Sequence, residues 1–301
     1  MPPKHHICVC ICTYKRPELL SRLLSKLEEQ ETEGFFDFSV VIADNDSAES
    51  ARCTAEFCAL QSKISISYYV EPEQNIALAR NKAVRNAKGD FIGLVDDDEF
   101  PCNDWLLNLY KSQKKYGADG VLGPVKPHFE IAPPRWIIKG KLCERDSFDT
   151  GTPLTNPKYT RTGNAIFKKE IFKEGEIYFD PIYGRTGGED TDFFRRMIEK
   201  GHTFIWCDEA SVYETVTPER LKRVYFLKRA LMRGFVNSKN ASIFSFNVLK
   251  SFIAFVVYTS ALPFLLPLGH HLFMKYLIKD CDHIGKLLGV FGINIIKERT
   301  L

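Results

Sequence analysis

Four consecutive acidic residues, Asp96, Asp97, Asp98 and Glu99, follow an apolar run in FIGLVDDDEF. Adjacent carboxylates repel one another, and their hard oxygens suit Mg2+ or Mn2+, which bind through one or two carboxylates plus substrate phosphates. The plain alternative is an acidic surface turn. A second pair, Glu189 and Asp190 in GRTGGEDTDFF, falls in the first turn of a helix, where the dipole favours ionised carboxylates able to accept a proton. Simple dipole compensation would look the same. A third group, Asp44-Asn45-Asp46, ends another apolar run. Asp44 there could accept hydrogen bonds from a nucleotide base or ribose, or Asp46 could cap a turn.

The elements that must position these groups alternate along the first half of the chain. Strands are expected over residues 6–13, 38–43, 64–70 and 91–95, and helices after Pro17, over residues 76–87 and over residues 104–116. Asp104 or Asn103 would cap the last of these. Uniformly apolar strands separated by helices indicate a mostly parallel sheet with both faces covered, and ligands in such sheets bind at the carboxyl ends of the strands. The first and third acidic groups map to that edge, and the second to a helix start after a long loop. Residues 124–157, rich in Pro, Gly and charge, suit a long mobile loop over the site. An extended stretch over 159–167, a helix with Phe193, Met197 and Ile198 as its apolar stripe, and a strand over 202–207 closing the domain follow. No G-x-G-x-x-G or G-x-x-x-x-G-K-[ST] follows the first strand, which argues against a dinucleotide fold or a P-loop.

The 301 residues are 45% hydrophobic and 26% charged, with a formal net charge of +3. That is a globular composition without repeats or low-complexity segments. The average hides a division, since residues 218–301 hold 13 Lys+Arg against 4 Asp+Glu while residues 1–217 carry a net charge of −6. A domain over 1–217 and a basic, apolar helical region over 218–301 are therefore expected, the latter facing an anionic membrane surface. RLKRVYFLKRALMRG reads as a basic amphipathic helix, and residues 251–269 as an uncharged run about long enough to cross a membrane, though Pro263 and Pro267 would kink or end it. A buried core helix is the alternative. Basic flanks on both sides suit a re-entrant or in-plane segment, with residues 284–296 as a second interfacial stretch. The nine scattered cysteines form no zinc or disulfide pattern, and Cys8, Cys10 and Cys12 fall on one buried strand face. With no signal-peptide core evident, the reducing cytoplasm is the expected compartment.

Five segments, VCICTYKRP, VVIADND, EQNIALARNKAVRNAKGDFIGLVDDDE, TGNAIF and GGEDTDFFRRMIEKG, occur in an order that resembles the family-2 glycosyltransferases, inverting nucleotide-sugar enzymes of the GT-A fold. The likeness spans roughly residues 6–215, and the C-terminal part is similar to bacterial members of the succinoglycan type that build exopolysaccharide or lipopolysaccharide on lipid-linked repeat units. The resemblance implies a GT-A α/β fold with a C-terminal membrane-associating extension. It also implies transfer of one sugar from a nucleotide sugar, UDP-linked, to a lipid-linked saccharide on the cytoplasmic face of the inner membrane, with Mg2+ or Mn2+ and without nucleic acid.

By position, Thr13, Tyr14 and Arg16 would line the nucleotide pocket, with Asp44 on the uracil and Asn75 and Arg80 toward the ribose or diphosphate. Asp96 and Asp97 would face ribose and donor sugar, Asp98 with Asp96 would hold the metal, and Asn164 would lie near the donor sugar. Asp190 would be the catalytic base, with Glu189 orienting the acceptor or donor. Where many relatives carry a metal-ligating His, this chain has Tyr213-Glu214, and the Q-x-x-R-W signature of processive synthases is absent. A sugar-nucleotidylyltransferase would want a Gly-rich loop where Tyr14-Lys15-Arg16-Pro17 stands, and a silent glycan-binding scaffold would not need the carboxylates.

Overall fold

The computed structural model describes residues 4–172, 177–238, 242 and 245–293. The chain forms two compact units, Met1–Lys126 with Arg145–Glu214, and Pro127–Glu144 with Thr215–Leu301.

The first unit is built on a seven-stranded sheet. Its elements are β1 (His5–Thr13), α1 (Pro17–Glu28), β2 (Phe36–Asp44), α2 (Arg52–Gln61), β3 (Ser65–Val70), α3 (Ile76–Asn86), β4 (Phe91–Asp96), β5 (Glu99–Pro101), α4 (Trp105–Tyr116) and β6 (Gly120–Leu122). After β7 (Val125–Phe129) and α5 (Arg135–Gly140) come β8 (Asn164–Lys168), α6 (Glu189–Glu199), β9 (Phe204–Trp206) and β10 (Val212–Val216). The large sheet has the order β3-β2-β1-β4-β8-β6-β9, with β8 alone antiparallel to its neighbours. Thr13, Asp44, Asp96 and Leu122 therefore end their strands on one edge.

Period-2 alternation sorts the core. Ile7, Val9 and Ile11 pack with α1 and α4, while Cys8, Cys10 and Cys12 pack on the opposite face with Ala77, Ala79 and Ala83 of α3 and Phe193 and Phe194 of α6. Pro17 opens α1, where a missing N–H costs nothing, and Leu20, Leu23, Leu24 and Leu27 are buried at helical spacing.

Three expectations are corrected. Residues 124–157 are not a structureless loop, because β7 and α5 lie within them. The strand over 202–207 does not close the domain, since β10 follows and pairs antiparallel to β5 with Glu214 opposite Glu99. Both strands have short, mixed patterns that periodicity cannot separate from loop. Asp104 does precede α4, but its side chain makes no cap hydrogen bond to the helix.

In the second unit, α7 (Arg223–Ser238), α8 (Phe246–Leu265) and α9 (His270–Val290) follow one another. Ser238 Oγ donates to the Lys286 carbonyl at 2.7 Å, joining α7 to α9, and Thr259 Oγ1 donates to Asp280 Oδ2 at 3.0 Å, joining α8 to α9. α8 is long and apolar enough to cross a membrane, and it carries Pro263 in its last turn. Phe252, Val256 and Phe264 on it are 53%, 46% and 75% exposed, so it is not the buried core helix of the alternative reading. The interfacial stretch expected over 284–296 lies within α9 up to Val290, and residues 294–296 fall outside the described residues.

Candidate active site

The carboxyl edge of the sheet gathers the acidic residues and three of the expected cationic or hydroxyl partners. Thr13 Oγ1, at the end of β1, donates to Asp97 Oδ2 at 2.9 Å. Arg16, the residue immediately before α1, donates to Asp97 Oδ1 at 3.1 Å and to Asp98 Oδ2 at 3.3 Å. The Asp96 carboxylate is 44% exposed and lies 3.4 Å from Arg80 Nη2, while Asp97, Asp98 and Glu99 are buried. Tyr14 is half-buried in the β1–α1 connection.

Burial beside like charges raises the proton affinity of two of these carboxylates, Asp97 and Glu99. Burial pushes Asp97 up to about 7, against the pull of Arg16 and with Asp98 adding to the rise. Burial and the neighbouring Asp96 likewise hold Glu99 well above the ordinary carboxylate range. Glu99 also accepts the Asp96 backbone N–H at 3.2 Å. Gly163, just before β8, lies over the pair, where a Cβ would sit 2.8 Å from Glu99 Oε1 and 2.9 Å from Asp96 Oδ2. A side chain there would displace the carboxylates.

α6 delivers the second acidic pair to the same place. Gly188 precedes it at φ +105°, a left-handed conformation that glycine adopts without strain. Glu189 is 5% exposed, its Oε1 accepts from Arg80 Nη1 at 2.8 Å, and its Oε2 has no hydrogen-bond partner among the described residues. Asp190 accepts the Thr191 N–H at 2.7 Å. Burial and the adjacent Glu189 raise its pKa, opposed by Arg80 and Arg161. Arg80 is 6% exposed, and burial alone would weaken its charge, but Glu189 and Asp96 more than offset that and keep it protonated.

Three expected residues have their side chains committed elsewhere. Asp44 is fully buried and accepts from the Asp46 and Ala51 N–H groups and from Tyr68 Oη at 2.7 Å. Asn75 caps α3 through the Ala77 and Leu78 N–H groups and donates to the Pro181 carbonyl. Asn164 accepts from Trp105 Nε1 at 2.7 Å and donates to the Pro124 and Ala210 carbonyls, which spends its amide on joining β8 to its surroundings.

The structure adds Arg145, which sequence reasoning did not place at the site. Arg145 is ion-paired with Glu214, which stands opposite Glu99 in the β10–β5 ladder. No spacing signal joins Arg145 to Glu214, because their contact is made by tertiary packing across 69 positions.

Among the described residues no group of three or more His, Cys, Asp or Glu side chains is disposed to hold a metal by itself. The donor set nevertheless fits a hard divalent ion shared with a ligand. Asp96 offers an exposed carboxylate beside the buried Asp97, Asp98 and Glu99, and a cation there would reduce the mutual repulsion of these acids.

The model of glycosyl transferase family 2 matches residues 8–175. The chain belongs to this family. It is 35% identical over 232 residues to the succinoglycan biosynthesis protein ExoM of Rhizobium meliloti (strain 1021), covering 76% of this chain and 73% of that protein. Among solved structures, the fold matches the mannosyltransferase PcManGT of Pyrobaculum calidifontis, in complex with GDP-Man and Mn2+, with a TM-score of 0.64 at 18% identity, covering 95% of this chain and 88% of that one. It matches S. aureus TarS 1-349 in complex with UDP with a TM-score of 0.55 at 20% identity, covering 95% and 92%. This glycosyltransferase thus has a GT-A-like fold with a mostly parallel central sheet.

Proposed function

We propose that this glycosyltransferase moves one sugar, with inversion, from a UDP-sugar to a lipid-linked saccharide in exopolysaccharide or lipopolysaccharide assembly. The observation that carries this reading is the Arg80 bridge, in which one buried guanidinium contacts Asp96 at the end of β4 and Glu189 at the start of α6. It brings the donor-side carboxylates and the candidate base onto one scaffold. The UDP complex of TarS and the role of ExoM in succinoglycan biosynthesis support the donor and pathway class.

Thr13, Tyr14, Arg16 and Arg80 line the nucleotide and diphosphate, with Asp44 and Asn75 shaping the loops beneath them. Asp96 and Asp97 face ribose and donor sugar, and Asn164 fixes the strand beside that sugar. Asp190 accepts the proton of the acceptor hydroxyl as its oxygen bonds to the anomeric carbon and the bond from that carbon to the diphosphate breaks, releasing UDP. Glu189, held by Arg80, orients the acceptor and keeps the Asp190 carboxylate in place. A Mg2+ or Mn2+ ion held by Asp98 and Asp96 would supply Lewis-acid stabilisation of the diphosphate as it departs.

The catalytic part is residues 1–217, and residues 218–301 hold it at the cytoplasmic face of the inner membrane. The apolar surface of α8 and the +9 charge of that region support this. A panel of UDP- and GDP-sugars, each with Mn2+, tests the donor assignment by thermal shift. Stabilisation by UDP-sugars supports it, and stabilisation by GDP-sugars alone contradicts it.

A further inference from the structure

Beyond the donor-side carboxylates, the same sheet edge holds a shallow cleft open to solvent. Arg145, Lys158 and Arg161 line it, with Asp146 the single acid among its lining residues, and Tyr159 and Trp206 supply aromatic walls. Phe148 braces both aromatics, its ring centroid 5.3 Å from Tyr159 and 5.5 Å from Trp206 in edge-on contacts. Lys158 and Arg161 are exposed, whereas Trp206 is buried.

The cleft lies along the sheet edge next to the donor half. Thr13, Asp44 and Asp96 end β1, β2 and β4, whereas Leu122 and Trp206 end β6 and β9 beyond β8. Asn164, which opens β8 beside β4, also lines the cleft, so the cleft borders the donor half. Arg161 of this lining favours the ionised form of Asp190. Arg145 pairs with Glu214, which leaves further guanidinium donors for a second anion.

We propose that this cleft is the acceptor subsite and that it selects a saccharide carrying an anionic group, a phosphate or a carboxylate. Guanidinium groups bind either anion through paired N–H donors, Lys158 adds a point charge, and the half-buried Tyr159 receives the apolar face of the ring. The inference rests on the transferase reading and names the acceptor chemistry of that same site.

Glucose 6-phosphate, glucuronate and glucose serve as probes, titrated into the full chain by calorimetry, with and without saturating UDP and Mn2+ to fill the donor half. Both anions, or one of them, should bind at least about tenfold more tightly than glucose, and which one does identifies the group. Lys158→Glu, an exposed substitution, should abolish that preference while leaving the Kd for UDP unchanged, and Lys158→Ala should reduce it. Equal binding of all three probes, or an anion preference indifferent to Lys158→Glu, overturns the proposal. UDP affinity and UDP-sugar turnover report separately on the transferase reading. Normal turnover without anion preference sinks only the subsite, whereas absence of both UDP binding and turnover sinks the underlying function.

Discussion

Arg80 Nη1 donates to Glu189 Oε1 at 2.8 Å across 109 positions of sequence, and both side chains are more than nine-tenths buried. The pair joins α3 to α6, two helices whose separate amphipathic patterns give no sign that they meet. Removing one partner leaves an uncompensated buried charge. Arg80→Met should therefore destabilise the fold by about 3–5 kcal/mol in urea unfolding, and the double variant with Glu189→Gln should recover part of that loss.

Asp190→Asn should lower kcat by about 10²–10⁴ while leaving the affinity for UDP intact. The ionised carboxylate is the active form, and burial beside Glu189 raises its pKa. The rate should accordingly fall as pH drops through that raised value. Arg161 favours the ionised form, so Arg161→Gln should raise the pKa further and move the acid limb of the kcat profile to higher pH.

The folded-state pKa of Asp97, about 7 against a model-peptide value of 3.8, makes stability pH-dependent. A folded state that binds the proton more tightly than the unfolded chain loses stability as pH rises between the two values. In chelator, the unfolding free energy should decline from about pH 4 to about pH 7, by an amount on the order of a few kcal/mol. Asp97→Asn should flatten this slope, and an unchanged slope would remove Asp97 as its cause.

Gly163→Ala places a methyl group where Glu99 and Asp96 now have oxygens. Activity should fall by at least about tenfold with little change in Tm, because the displaced groups belong to the site rather than the core.

Membrane association is tested on α8 by substituting exposed residues that the fold does not need. Phe252→Lys with Val256→Lys should reduce flotation with anionic vesicles severalfold while the circular dichroism stays constant. Undiminished flotation would place the anchoring surface elsewhere.

Much of this architecture was legible in the residues. Strand and helix periods are strong where Ile7, Val9 and Ile11 alternate with Cys8, Cys10 and Cys12, and where four leucines recur along α1. The acidic tract after β4 announced the ligand edge because four charges there follow a run that must be buried. What could not be read depends on packing between distant segments. β7, β10 and α5 are short and weakly patterned, and the Arg145–Glu214 pair exists only once β10 lies beside β5. Asp44, Asn75 and Asn164 look like ligand-facing residues in sequence, yet their polar atoms are taken up by backbone or ring partners nearby.

The central claim is that carboxylates on two elements act together in transfer from a nucleotide sugar. It is tested most directly by measuring UDP release from a panel of UDP-sugars by the full-length protein with membranes and Mn2+ or Mg2+. Release from at least one donor that is metal-dependent and nearly abolished in both Asp98→Asn and Asp190→Asn is the predicted result. No turnover of any donor, or turnover that both variants retain, would contradict the account.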